Sequence, residues 1–219
     1  MADFLTAYRI VKENEGGYND SLNDPGNFCD GVFVGTNRGI SAPTMADTLL
    51  GGRCPTISEM KALTSKQAQS VLKTKFWDRI RGDDIENQNI AIMLFDTIVN
   101  QTGYFNSIVL WAVIKQRSYY SGFALPFDDN EIKTINSLDQ RKFFNDLKTA
   151  REEKYRYEAS KSASQATNLP GWLNRLKKLN WNEAWQMPIT FGAIALLVIA
   201  IGIGVGFYVV NHKKLKKLL

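Results

Sequence analysis

The stretch Glu13-Asn14-Glu15-Gly16-Gly17-Tyr18 decides how this chain is read. A helical pattern runs into it. Phe4, Leu5, Tyr8 and Val11 recur at helical spacing, which predicts an amphipathic helix over residues 3–14. The pair Gly16-Gly17 then ends that helix, because glycine adopts the left-handed backbone a helix exit needs. Glu15 is thereby placed at a helix end, beside a backbone that a ligand can approach closely. A carboxyl fixed there, with Tyr18 next to it, suits a general acid; the plainer reading is a surface glutamate before a helix stop.

Downstream, Asn23-Asp24-Pro25-Gly26 is a turn sequence, and after a longer loop comes Thr36-Asn37-Arg38-Gly39-Ile40-Ser41. With these residues the chain resembles glycoside hydrolase family 108, the phage and bacterial N-acetylmuramidases with a Glu-Gly-Gly-Tyr motif. That family reads Glu-Gly-Gly-Tyr, then Asp-Pro-Gly-Gly, then Thr-x-x-Gly-Ile-Thr. The spacing from Glu to Asp to Thr is also similar to that in the lysozymes of T4-like phages. Glu15 and Asp24 keep the first interval, whereas residues 28–35 lengthen the second. Gly26-Asn27 stands for the glycine pair, and Ser41 for the last threonine. Three more blocks carry the resemblance: residues 76–83 around Trp77 and Gly82-Asp83, Phe95-Asp96-Thr97-Ile98-Val99-Asn100, and Gly171-Trp172-Leu173-Asn174-Arg175. It extends over residues 4–178.

The resemblance implies a mainly α, lysozyme-like domain. Residues 1–86 would form a loop-rich catalytic lobe, and residues 87–180 a helical lobe of the peptidoglycan-binding kind. It implies cleavage of the β-1,4 bond between N-acetylmuramic acid and N-acetylglucosamine, without metal or organic cofactor. Glycosidic cleavage needs a carboxylic acid to protonate the leaving oxygen, which falls to Glu15. Asp24 would stabilise the oxocarbenium-like transition state or orient water, and Thr36 would hold that water. Tyr18, Trp77, Asn100 and Trp172 would meet the glycan. For Trp77 the competing reading is core packing; for Asp96 and Asn100 it is hydrogen bonding to neighbouring backbone.

Composition narrows the alternatives. The net charge is +5, but Lys213, Lys214, Lys216 and Lys217 account for four of those charges, which argues against a nucleic-acid surface on the main domain. The single histidine, His212, lies in the same tail, which argues against a histidine triad or a Cys/His zinc site in the folded part. Cys29 and Cys54 either form one disulfide or remain two buried thiols. The first residues, Met1-Ala2-Asp3-Phe4, lack the basic and apolar regions of a signal peptide.

In order along the chain, residues 19–56 read as loops with a small hairpin. Helices are expected over residues 56–63 and 65–76, with Ser58 and Ser65 as caps. The apolar run 90–99 predicts a buried helix, residues 104–116 another, and residues 137–159 a long charged one with Phe143, Phe144, Leu147, Tyr155 and Tyr157 as contacts. Residues 117–136 are mixed around a turn at Pro126, and residues 160–168 form a small polar loop or hinge.

Residues 189–210 are uncharged and almost wholly apolar. At a rise of about 1.5 Å each they span about 33 Å, enough for a bilayer core. A transmembrane helix is therefore expected over 188–210, after a juxtamembrane segment 181–187 and before a basic tail 211–219. Trp181, Trp185 and Tyr208 fit an interfacial aromatic belt, and Gly202-x-x-x-Gly206 fits a helix pair that would make a homodimer. The expected partners are thus peptidoglycan and the lipid bilayer. The expected location is a bacterial inner membrane or a virion, with the catalytic domain towards the wall and the lysine tail in the cytoplasm. The leading reading is a membrane-anchored phage lysin, either a lysis enzyme or virion-associated. The alternative is a non-catalytic wall-binding anchor or lysis regulator on the same fold. A holin-like pore former does not account for so much globular chain.

Overall fold

The computed structural model describes residues 1–13, 17–22, 24–118, 120 and 122–185. Glu15 and the expected span 188–210, with its glycine motif and basic tail, lie outside the described residues. Among the described residues no helix is long and apolar enough to cross a membrane.

The fold is mainly helical. Helix α1 (Phe4–Lys12) starts where Asp3 accepts a hydrogen bond from the Thr6 amide, and it buries Phe4, Ala7, Tyr8 and Val11. Leu5, expected on the buried face, is 49% exposed; Ala7 takes that place. The lengthened loop is a two-stranded hairpin, β1 (Phe28–Cys29) and β2 (Val32–Phe33), with Phe28 opposite Phe33 and Cys29 opposite Val32. Asp30 and Gly31 turn it with φ of 48° and 77°, the left-handed pair that an Asp-Gly hairpin turn requires. A disulfide joins Cys29 to Cys54, which resolves the open alternative in favour of the bond.

Helix α2 (Ala42–Leu49) lies where only loop was expected; Ser41 caps it and Pro43 sits in its first turn. Helices α3 (Ile57–Ala62) and α4 (Ser65–Leu72) are capped two and one residues before the expected serines. Their caps are Thr56 and Thr64, each closing a reciprocal capping box, with Glu59 and Gln67 respectively. A wider turn, Lys73–Trp77, continues α4.

Helix α5 (Gln88–Asn100) is the central element, buried from Asn89 to Ile98 and packed by α1 on one side. Then come α6 (Phe105–Ile114), α7 (Asp129–Asn136), the long α8 (Gln140–Ser160), the single turn α9 (Ala163–Ala166) and α10 (Leu169–Lys178). Helix α8 packs against α5, α6 and α10. Helix α7 and the turn α9 occupy stretches expected to be irregular. Tyr157, expected as a contact, is 54% exposed.

Trp77 belongs to this core. It is fully buried, its ring meets Phe95 edge-on at 5.5 Å and lies 5.5 Å from Phe4, and its indole N–H donates to Asp83 at 2.9 Å. A Cβ at Gly82 would come within 2.2 Å of the indole, so the Gly82-Asp83 pair exists to receive this tryptophan. The expected contact of Trp77 with glycan is therefore corrected: a side chain without exposed surface cannot stack on a sugar.

Candidate active-site cleft

The residues after α1 fold back on the hairpin. The Tyr18 hydroxyl donates to the Val34 carbonyl at 2.8 Å, and its ring covers Gly35, whose φ is +94°. A Cβ at Gly35 would lie 2.6 Å from that ring. The next residue outward pairs as well: the Asn19 amide donates to the Thr36 carbonyl at 2.8 Å and the Thr36 amide to the Asn19 carbonyl at 3.1 Å. The hairpin is thus an excursion closed at its base, and Thr36 returns beside Asn19.

Asp24 is fixed inside that base. Its Oδ1 accepts the Gly26 amide at 2.9 Å and its Oδ2 accepts the Asn19 side-chain amide at 3.3 Å. The buried Asn27 donates to the Ser21 carbonyl at 2.8 Å, and the Thr36 hydroxyl donates to the Gly26 carbonyl at 3.3 Å. This mesh holds the carboxylate at the edge of a cleft of about 590 Å³. Opposite it stand Asn100 at the end of α5, Trp172 on α10, and Gln165, Thr167 and Asn168 in and after α9. The lining is mostly hydroxyl and amide groups with one aromatic face. Such a surface suits a polyhydroxylated chain, which needs hydrogen bonds along its edges and an apolar face to stack on.

Trp172 is half-buried and stacks on Tyr155 at 5.4 Å, 20° from parallel. Beneath it lies a buried ionic network. Asp96, fully buried in α5, accepts Arg151 Nη2 at 2.6 Å on Oδ2, and Arg175 Nε and Nη2 at 3.0 and 2.8 Å on Oδ1. Arg151 is itself fully buried, and it donates to Gln101 at 2.9 Å and to the Tyr155 hydroxyl at 3.2 Å. Burial pushes the Asp96 carboxyl up, but the two guanidinium groups outweigh it and hold the group below its ordinary range. The expectation that Asp96 bonds backbone is thereby corrected: its partners are arginines of α8 and α10. Asn100 does bond backbone, its amide donating to the Asp96 carbonyl at 2.9 Å. The network therefore ties together the floor, Asn100 and the aromatic wall of one cleft.

Of the expected site residues, the cleft brings together Asp24, Asn100 and Trp172. Tyr18 and Thr36 stand behind it as braces of the Asp24 loop, and Trp77 is in the core. Glu13 is exposed and opens onto a different hollow of about 600 Å³ beside Trp181 and Trp185, which shares no wall with the Asp24 cleft. Sequence reasoning missed Gln165, Thr167 and Asn168, which it read as hinge; their polar character was the available signal. Cys29, Asp30 and Cys54 cluster as metal ligands would, yet the two sulfurs are bonded to each other and offer no thiolate.

The model of the family described as Glycosyl hydrolase 108 matches residues 8–102, from the second half of α1 through the Asp24 loop to α5. That match supports a glycoside hydrolase domain in this part of the chain. The solved structure titled "Structure of Brucella abortus SagA" is similar to this one, with 21% identity, a TM-score of 0.63, 80% of this chain covered and 90% of that chain. At that identity the likeness is one of fold, and its coverage extends beyond the matched stretch. No curated protein matches the chain.

Proposed function

We propose that the protein is a lysozyme-like muramidase that cleaves the β-1,4 bond between N-acetylmuramic acid and N-acetylglucosamine in peptidoglycan. The observation that carries this reading is the convergence of Asp24, Asn100 and Trp172 on one polar cleft, within nine residues of the Glu15 turn in sequence at its Asp24 side. Glu15 protonates the leaving glycosidic oxygen. Asp24, held by Asn19 and Gly26, faces the positive charge that develops on the sugar ring. Thr36 acts through the loop: its hydroxyl is committed to the Gly26 carbonyl, which makes it a positioning residue in place of a water holder. Asn100 and Trp172 orient the strand, the first by its amide and the second by stacking.

The Cys29–Cys54 bond supports a site of action outside the cytoplasm, since such bonds persist in oxidising compartments. With the apolar stretch 188–210 as anchor and the lysines after it on the cytoplasmic side, the cleft faces the wall, where it serves lysis or wall penetration by a phage.

The test is a zymogram and turbidity assay of the full chain on purified peptidoglycan. Glu15→Gln removes the transferable proton and should lower lysis by about 10²–10⁴-fold, while Glu13→Gln, on a different hollow, should be nearly neutral. A folded Glu15→Gln protein with full activity would reject the acid assignment. Absence of lysis by the wild type would leave the wall-binding reading in its place.

A further inference from the structure

The hollow beside Glu13, of about 600 Å³, has an apolar floor made by Ile10 of α1, Ile92 of α5, Phe144 of α8, and Leu179, Trp181 and Trp185 after α10. The segment that carries the last three is built into the domain. Asn89, buried in α5, donates to the Asn182 carbonyl at 3.0 Å and accepts the Asn182 amide at 2.8 Å. Lys148 donates to the Leu179 carbonyl at 2.7 Å. Trp181 meets Phe144 edge-on at 5.5 Å, and the Arg141 guanidinium lies 5.5 Å from its ring while pairing with Glu183. The chain is therefore still fastened to the domain where it reaches Trp185, on the wall of this hollow. Three charged side chains line it: Glu13, Lys178 and Glu183. Glu183 is engaged by Arg141, whereas Glu13 and Lys178 are exposed and form no ion pair among the described residues. The hollow thus joins an apolar floor to a rim with one such group of each sign.

We propose that this hollow binds a phospholipid of the bilayer, one acyl chain on the apolar floor and the phosphate of a zwitterionic amine headgroup on Lys178. The assignment rests on reading the apolar stretch 188–210 as a bilayer anchor. Ile189 follows Trp185 by four residues, which reach about 14 Å at full extension. With that stretch in the bilayer, the Trp185 wall stands within about 14 Å of the hydrocarbon, so lipid is the apolar molecule this hollow meets at highest concentration. The volume lies in the range of pockets that hold one small molecule, and tryptophans at its edge suit the boundary between headgroup and hydrocarbon. A rim with free groups of both signs matches a zwitterionic headgroup better than a net anionic one. The hollow shares no wall with the Asp24 cleft, so a bound lipid would hold the domain near the bilayer and leave that cleft open.

The experiment mixes the full chain with vesicles of phosphatidylethanolamine and phosphatidylglycerol that contain a trace of phosphatidylethanolamine with a diazirine on one acyl chain. Flotation reports membrane attachment, and mass spectrometry after irradiation locates the labelled residues. The wild type should float and carry label on Ile10 and residues 179–185 as well as on 189–210. Lys178→Ala should lower the label on the hollow by about fivefold relative to that on 189–210, the weight of one lysine near a membrane surface, and Lys178→Arg should keep it. The same probe with a phosphatidylglycerol headgroup should label the hollow less. Label confined to 189–210 in protein that floats overturns the lipid site and leaves the anchor reading intact. Label in the hollow that a folded Lys178→Ala protein retains in full overturns the site as well. If the chain does not float, the anchor reading falls and the hollow decides alone: label there that depends on Lys178 upholds the lipid site, and its absence rejects it.

Discussion

Replacing Asp96 by asparagine keeps its shape and removes its charge, which leaves two guanidinium groups facing a neutral amide. Arg151 is completely buried and the Arg175 side chain is 12% exposed, so water cannot take over the role of the carboxylate. Removing one partner of such a buried pair costs about 3–5 kcal/mol, because the remaining charge stays desolvated. In a chain of this size each kcal/mol corresponds to about 2–4 °C in Tm, so Asp96→Asn should lower the melting temperature by about 6–20 °C. The pH dependence carries the second signature. The folded-state carboxyl lies below its ordinary range, so its contribution is complete above the unfolded value of 3.8 and is lost as pH falls through the lower folded value. The gap in Tm between wild type and Asp96→Asn should therefore be constant from pH 7 to about 5 and close only under stronger acid. Thermal unfolding followed by circular dichroism across that range measures both. A variant within 2 °C of wild type at pH 7 (less than about 1 kcal/mol) would refute the view that this network holds the cleft floor.

Three other outcomes follow from the same structure. Gly35→Ala should destabilise by more than about 1 kcal/mol, since it combines a positive φ with a Cβ driven against Tyr18, whereas Gly171→Ala, in open space on α10, should be neutral or slightly stabilising; urea midpoints compare them. Trp77→Ala should lose about 3–5 kcal/mol of stability, while Trp172→Ala should leave folding nearly intact and raise KM on peptidoglycan. Reduction of the Cys29–Cys54 bond, which spans 25 residues, should cost about 3.5 kcal/mol by the chain-entropy relation, seen as a Tm shift in dithiothreitol that Cys29→Ser with Cys54→Ser reproduces without reductant.

Local signals were legible and long-range ones were not. Helix α5 announces itself as an apolar run, and α1 by its period and the glycine pair that stops the pattern. Helix α2 hid in a loop-rich composition, although Ser41 followed by Pro43 is a helix-start signature. Helix α7 hid behind a turn, although Asp128 and Glu131 form a capping box. The thresholds at Thr56 and Thr64 were misplaced for the same reason: the Thr-x-x-Glu and Thr-x-x-Gln spacings outrank a serine one or two residues later. At the candidate site, Asp24, Asn100 and Trp172, singled out from three separate motifs, line one cleft, and the contacts of their neighbours came out only in three dimensions. Asp96 meets Arg151 across 55 residues and Arg175 across 79. No period or spacing encodes such a partnership, so a buried aspartate read locally could only be given backbone partners. Trp77 and Trp172 look alike in the sequence. What separates them is a glycine, Gly82, that admits one ring to the interior, and a tyrosine, Tyr155, that supports the other at the rim.

The hairpin has a use beyond bracing Asp24. Because the Asn19–Thr36 pairing closes its base and the disulfide pins one of its strands, what happens at the Asp30-Gly31 tip is mechanically insulated from the cleft. Val32 beside that tip is 64% exposed, and nothing lies within 4 Å of the space a side chain at Gly31 would fill. The tip is thus a natural port for grafting: a short epitope or a dye-accepting peptide inserted there would ride outside the domain and report where the protein goes with the polar cleft undisturbed.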